Sequence, residues 1–181
     1  SVTWTVVNDY RLVGTDSADT LTGTANAQEI VGLGGNDTIT GGNGGDTINA
    51  GDGGDRIVAT HADGNDTISG GNGFDILDYS AVQGVVQINQ LAGTTTGSAG
   101  NDVLLDVIEQ IVGTNFDDVL SGGHGINVLD GNGGNDQFFG NNGDDLMRGG
   151  TGDDTFYFST SDGNDTLLGG DGFDVLDYSS L

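Results

Sequence analysis

The chain has 181 residues, of which 28 are acidic, three are arginine, none is lysine and 36 are glycine, for a formal net charge of −25. Such a polyanion cannot neutralise a phosphate backbone or an anionic lipid surface, which excludes nucleic-acid and acidic-membrane partners. The absence of cysteine removes disulfide frameworks, thiolate metal sites and thiol catalysis, and no apolar stretch approaches the roughly 20 residues that a membrane helix needs.

Low hydrophobicity with high net charge leaves a choice between disorder and a fold that depends on metal. No basic-then-apolar leader opens the chain, which reads as a mature protein or an excised fragment. Residues 1–13 (SVTWTVVNDYRLV) are expected to form a strand that caps the open end, with Trp4 against the core. From Gly14 the chain scans in nines: GTDSADTLT, GTANAQEIV, GLGGNDTIT, GGNGGDTIN and AGDGGDRIV. A two-residue insertion (Ala59, Thr60) precedes HADGNDTIS and GGNGFDILD, and this first run, 14–78, ends at Asp78.

The connector 79–112 scans less cleanly. Val85, Val86 and Ile88 read as a strand, GSAGNDVLL (97–105) fits the nonapeptide once more with Asp102 at the sixth slot, and LLDVIEQIV is apolar enough to be buried. The connector is read as longer coils that carry the stack onward, which favours one rod because an apolar connector would otherwise be exposed. A second run, 113–177, follows: GTNFDDVLS, GGHGINVLD, GNGGNDQFF, GNNGDDLMR, GGTGDDTFY, an insertion (Phe158, Ser159), TSDGNDTLL and GGDGFDVLD. Residues 178–181 look like the cut end of a module. At an offset of 99, residues 14–80 and 113–179 share 31 identities in 67 positions, so the chain is a duplicated module.

Slot 8 is apolar in every unit, slot 6 is Asp in twelve of fourteen, and slots 1 and 4 are mostly Gly. One inward apolar residue between two polar ones makes a short strand. Six residues rich in Gly, Asn and Asp make a turn. Two nines therefore form a coil of eighteen residues, and successive coils stack as parallel strands about 4.8 Å apart. Turns on one edge come from alternate nines. The slot-6 stacks are then Asp19, Asp37, Asp55 and Asp75 against Gln28, Asp46 and Asp66, and Asp118, Asp136, Asp154 and Asp174 against Asn127, Asp145 and Asp165. Carboxylates this close repel, no lysine exists to pair with them, and a hard cation with oxygen ligands resolves the conflict.

Units such as GGNGGDTIN and GGNGFDILD resemble the calcium-binding nonapeptide G-G-x-G-x-D-x-U-x of the RTX (haemolysin-type) family. The resemblance implies an all-β, right-handed parallel β-roll with several calcium ions, roughly six to eight, held in the turns between stacked coils. The implied ligands are the slot-6 aspartates together with backbone carbonyls of turns built on Gly32, Gly41, Gly51, Gly53, Gly70, Gly131, Gly140, Gly149 and Gly169. Gln28 and Asn127 depart from the pattern, unit 14–22 lacks both internal glycines and Phe116 replaces one in unit 113–121, so the first coil of each run is expected to be a poor site. The resemblance further implies secretion by a Gram-negative type I system and folding on meeting extracellular calcium. The partners it implies are calcium and neighbouring modules of a larger exported protein. Alternatives are an alginate-binding module beside a mannuronan C-5-epimerase, or a spacer in a surface adhesin or S-layer protein.

Other chemistry weighs less. Adjacent acids such as Asp117–Asp118, Asp144–Asp145 and Asp153–Asp154 are ligand and surface in a repeating turn rather than a glycosidase pair. His61 and His124 lack a third ligand or an H-E-x-x-H context. There is no G-x-S-x-G and no P-loop, so no catalytic constellation is predicted. The threonines of Thr20–Thr22 and Thr38–Thr40 hint at an ice-binding rank, which Arg56 and Val58 break. Arg11, Arg56 and Arg148 are too few for a stripe that binds an acidic polysaccharide.

Overall fold

The computed structural model describes residues 10–160 and 162–179. Residues 1–9 of the expected cap 1–13, Trp4 included, lie outside them. The strands are β1 (Arg11–Val13), β2 (Thr20–Thr22), β3 (Glu29–Gly34), β4 (Thr38–Thr40), β5 (Thr47–Asp52), β6 (Arg56–Val58), β7 (Thr67–Asn72), β8 (Ile76–Asp78), β9 (Val86–Asn89) and β10 (Thr94–Gly97). They continue as β11 (Val103–Leu104), β12 (Gln110–Val112), β13 (Val119–Ser121), β14 (Val128–Gly133), β15 (Gln137–Phe139), β16 (Leu146–Thr151), β17 (Thr155–Tyr157), β18 (Thr166–Asp171) and β19 (Val175–Asp177). There is no helix among the described residues, and so none long and apolar enough to cross a membrane.

The fold is the parallel β-roll that the nonapeptide period predicts. Alternate strands fall in two sheets, one of 11 strands in the order β1-β3-β5-β7-β11-β10-β9-β13-β15-β17-β19 and one of eight in the order β2-β4-β6-β8-β12-β14-β16-β18. Slot 8 pairs with slot 8 in parallel register, as in Ile30↔Ile48 and Leu129↔Met147. These side chains meet in the thin space between the sheets. All the slot-8 residues from Leu21 to Phe156 are buried, with Phe138 stacked on Phe156 at a centroid distance of 4.9 Å. In the last described coil Leu176 is 49% exposed, on β19 at the end of its sheet.

Strand length alternates where the sequence pattern suggests uniform three-residue strands. β3, β5 and β7 in the first run and β14, β16 and β18 in the second are six residues long. They extend through the slot-1 to slot-3 residues that follow. The long strands lie in the 11-stranded sheet in the first run and in the eight-stranded sheet in the second. The repeat arithmetic explains the exchange. From β2 to its equivalent β13 the chain makes nine half-coils, seven nonapeptides and two connector passes (the β9–β11 meander and β12); an odd number of half-coils places equivalent units on opposite sheets.

The connector differs from the longer coils expected of it. In the eight-stranded sheet β8 pairs directly with β12, with Leu77 opposite Ile111. In the other sheet β10 runs antiparallel to both β9 and β11, while β11 pairs with β7 and β9 with β13, both parallel. A three-stranded meander is thus spliced into a parallel sheet. Its turn at Gln90–Gly93 is closed by Gly93 at φ +65°, where the Gly93 N–H donates to Gln90 O at 3.1 Å. Buried Tyr79, Val82, Val86, Ile88 and Ile108 fill the interior beneath it. Both sheets run without a break from the first run to the second.

Candidate metal centre

Each slot-6 aspartate sits one residue before a strand, at the inner lip of a turn. Its backbone N–H donates to the Oδ1 of the equivalent residue one coil on. On one edge the chain of bonds runs from Asp19 to Asp37 (2.8 Å), Asp37 to Asp55 (2.7 Å) and Asp55 to Asp75 (2.9 Å). On the other, Gln28 donates to Asp46 (2.7 Å) and Asp46 to Asp66 (2.8 Å). The second run repeats the arrangement, from Asp118 to Asp136 (2.8 Å), Asp136 to Asp154 (2.9 Å) and Asp154 to Asp174 (3.2 Å), and from Asn127 to Asp145 (2.8 Å) and Asp145 to Asp165 (2.9 Å). One oxygen of each carboxylate is thereby tied to the backbone ladder.

The second oxygen separates the residues into two groups. In Asp37, Asp46, Asp55, Asp75, Asp136, Asp145 and Asp154, Oδ2 is buried and has no hydrogen-bond partner. Buried polar atoms are almost always partnered, and these seven orphaned carboxylate oxygens at equivalent positions are a set of oxygen donors that could hold a cation. In the first coil of each run the oxygen is partnered instead. Thr15 donates its N–H to Asp19 Oδ2 at 2.6 Å, and Thr114 does the same to Asp118 Oδ2 at 2.6 Å. At Gln28 the Oε1 accepts the Thr24 N–H at 2.5 Å and the buried Nε2 is left without a partner. Asn127 is likewise turned to protein groups, its Oδ1 accepting from Gly123 N at 2.8 Å.

The slot-1 glycines complete the cradle. A Cβ on Gly41 would fall 2.7 Å from Asp46 Oδ2, and one on Gly70 or Gly140 would fall 2.6 Å from the Oδ2 of Asp75 or Asp145. At Gly32, Gly131 and Gly149 that position is shared by the Oδ2 of Asp37, Asp136 or Asp154 and a backbone carbonyl of the next coil, from Ala50, Gly149 or Gly169. At Gly169 it meets Asp174 Oδ2. Gly51 and Gly53 act differently. Their φ values are +114° and +143°, and a side chain there would strike the backbone of Leu33 or Gly35 in the coil below. Carboxylate and carbonyl oxygens converge where a side chain would otherwise stand, which suits the oxygen-only coordination of a hard divalent cation. Among the described residues no three Asp, Glu or His side chains converge, so backbone oxygens must supply much of any coordination shell.

The electrostatics agree. Burial, opposed by the backbone N–H bond and reinforced by neighbouring carboxylates, raises the carboxyls of Asp66 to about 7 and Asp136 to about 8. The same causes raise Asp46, Asp75 and Asp145 to about 6. Asp37, Asp55, Asp118, Asp154 and Asp165 are also raised, chiefly by burial. In each the charged form is disfavoured relative to a free carboxylate, which a counter-charge would relieve.

Two residues extend the ladders beyond the predicted set. Asp66 N–H donates to Asp102 Oδ1 at 3.0 Å, and Asp75 N–H to Glu109 Oε2 at 2.8 Å. Asp102 Oδ2 is held by Thr95 Oγ1 at 2.7 Å and by the buried Tyr79 hydroxyl at 3.1 Å, so this rung is satisfied by the protein. Glu109 is in phase as slot 6 of the nine Leu104–Val112, a signal masked by its apolar neighbours. The slot-5 residues form a second ladder of opposite sense. Asp117 Oδ1 accepts from Asn135 N at 2.7 Å, Asn135 Oδ1 from Asp153 N at 2.7 Å, and Asp153 Oδ1 from Phe173 N at 2.8 Å. Adjacent acids in one turn thus bond in opposite directions, one inward and one at the surface. His61 and His124 are exposed.

A family model for the RTX calcium-binding nonapeptide repeat matches residues 22–57, 62–78, 108–137, 125–156 and 159–177, about two thirds of the chain. The chain belongs to this family. It is an RTX calcium-binding repeat module folded as a β-roll, and the RTX β-roll is a structural calcium-binding unit. Matched segments cover both runs and leave most of the connector outside the RTX pattern. No curated protein matches the chain.

Proposed function

We propose that this module is a calcium-dependent folding scaffold of a larger exported protein, with the slot-6 aspartates and the turn carbonyls as its ligands. The observation that carries the reading is the set of seven buried carboxylate oxygens without partners, six of them beside a slot-1 glycine. Calcium supplies positive charge and a demand for six to eight oxygens. The chain supplies the oxygens in pairs from adjacent coils, so ligation cross-links one coil to the next. Roughly six to eight ions fit this donor set, and eight divalent ions would cancel about 16 of the 25 net negative charges.

Without that neutralisation the stacked carboxylates oppose the fold, and the chain stays expanded in a compartment poor in calcium. In a calcium-rich exterior, binding free energy becomes folding free energy. This fits export in an unfolded state by a type I system of a Gram-negative cell, followed by folding outside, with neighbouring modules of the parent protein as partners. A calcium titration followed by far-UV circular dichroism, with magnesium as control, tests it. A cooperative coil-to-β transition specific to calcium is expected. A β signal that survives excess chelator would overturn the reading.

A further inference from the structure

A groove of about 790 Å³ lies on the outer face of the 11-stranded sheet, where the connector meets the second run. Its size falls within the roughly 300–1,000 Å³ of small-ligand sites. One wall is the β9–β10 turn, carrying Leu91 at 50% exposure. The floor is made by outward side chains of β9, β10 and β13, and the far wall is Phe139 on β15. None of its lining residues is charged, in a chain that carries 28 acidic side chains.

Its polar groups are braced with free valences facing both ways. Asn89 Oδ1 accepts the Ala92 N–H at 2.9 Å, which leaves its Nδ2 to donate. Asn141 Nδ2 donates to Ser121 Oγ at 3.0 Å and to Gly122 O at 2.8 Å, which leaves its Oδ1 to accept. The Thr94 hydroxyl can do either. The Phe139 ring is backed on one side by Tyr157, with centroids 4.7 Å apart and planes 4° from parallel. On its other side the β13 residue in register is only Ser121, so a flat aromatic face looks into the groove.

We propose that this groove binds a neutral saccharide. A pyranose ring has an apolar C–H face to lay against Phe139 and a rim of hydroxyls that both donate and accept. An anionic glycan finds no counter-charge, because no cation lines the groove and all three arginines are already paired with carboxylates: Arg11 with Glu29, Arg56 with Asp78 and Arg148 with Asp130. The groove exists only because the meander lifts its turn off the sheet, which makes it a property of the junction between the two runs and independent of the metal ladder.

The test uses the full chain in calcium, with cellohexaose, maltohexaose, xylohexaose and chitohexaose as neutral probes and oligomannuronate as the anionic comparator. Saturation-transfer NMR and titration calorimetry read binding, and circular dichroism on the same samples reads the fold. Sub-millimolar binding of at least one neutral hexaose is expected. Phe139→Ala should weaken it about tenfold, the scale of one lost aromatic contact. Phe139→Tyr should restore it, and Thr38→Ala on the opposite sheet should leave it unchanged. The proposal is overturned if no neutral probe binds at roughly 10 mM, if Phe139→Ala binds as the parent chain does, or if oligomannuronate binds more tightly than every neutral probe.

Discussion

The backbone N–H of Asp37 donates to Oδ1 of Asp55 in the next coil at 2.7 Å, while Oδ2 of each residue is buried with no partner. One side chain thus carries two duties. Its first oxygen is a rung of a ladder between coils, and its second is left unpartnered, the oxygen proposed above as a cation ligand.

That division makes Asp136→Asn a sharp test. The amide keeps an oxygen to accept the Asp118 N–H and replaces the orphaned oxygen with a donor. In excess chelator both chains should lack the cooperative β signal, because the remaining stacked carboxylates still oppose the fold. In calcium the variant should bind the ion with an affinity lower by roughly tenfold or more, since oxygen-ligand sites are tuned by their charge count. Equal calcium affinity of the two chains would remove Asp136 from the ligand set.

Acidity should act on the metal-free roll in a direction opposite to usual acid denaturation. Carboxyls raised above the unfolded value of about 3.9 favour the fold when protonated. That contribution is complete below about pH 4. It is lost as pH rises through about 6 for Asp46, Asp75 and Asp145, about 7 for Asp66 and about 8 for Asp136. In chelator the coil-to-β equilibrium should therefore lie further toward the roll at pH 5 than at pH 8, read by far-UV circular dichroism. The calcium concentration needed for folding should also be higher at pH 5, because protons compete for the same oxygens.

Glycine substitutions should divide by position. Gly140→Ala places a methyl 2.6 Å from Asp145 Oδ2 and 3.2 Å from Met147 Cε, so it should destabilise the calcium-loaded roll by about 1–3 kcal/mol. Gly34→Ala meets nothing closer than 3.6 Å and should stay within about 0.5 kcal/mol of the parent. Denaturation in saturating calcium measures both. Equal losses would mean that the slot-1 cradle imposes no special constraint.

The core admits a simpler check. Phe138 is fully buried and stacked on Phe156. Phe138→Ala should cost about 3–5 kcal/mol in calcium, read from the urea midpoint at unchanged slope.

The period of nine was enough to deduce the parallel β-roll, because a strand with one inward residue and a Gly-Asn-Asp turn can bury its apolar stripe only by stacking on copies of itself. The family and its metal were legible for the same reason: repetition puts like charges on one edge, and the absence of lysine leaves a cation as their counterpart. Glu109 illustrates what was harder to see. Its phase was correct, but Leu104, Ile108 and Ile111 around it resembled a plain buried segment.

The connector shows where sequence reasoning stopped. Val86 and Ile88 alternate as any half-buried strand does, and nothing in that alternation states whether β10 runs parallel or antiparallel to its neighbours. The pairing of β9 with β13 and of β11 with β7 is decided by contacts between residues some thirty or more positions apart, where local preference is silent. From that pairing come the Gln90–Gly93 turn raised over the sheet, the open face of Phe139 and the uncharged groove between them. Repetition dictated the roll and its acid ladder through near-neighbour stacking; long-range closure of the one non-repeating segment made the groove.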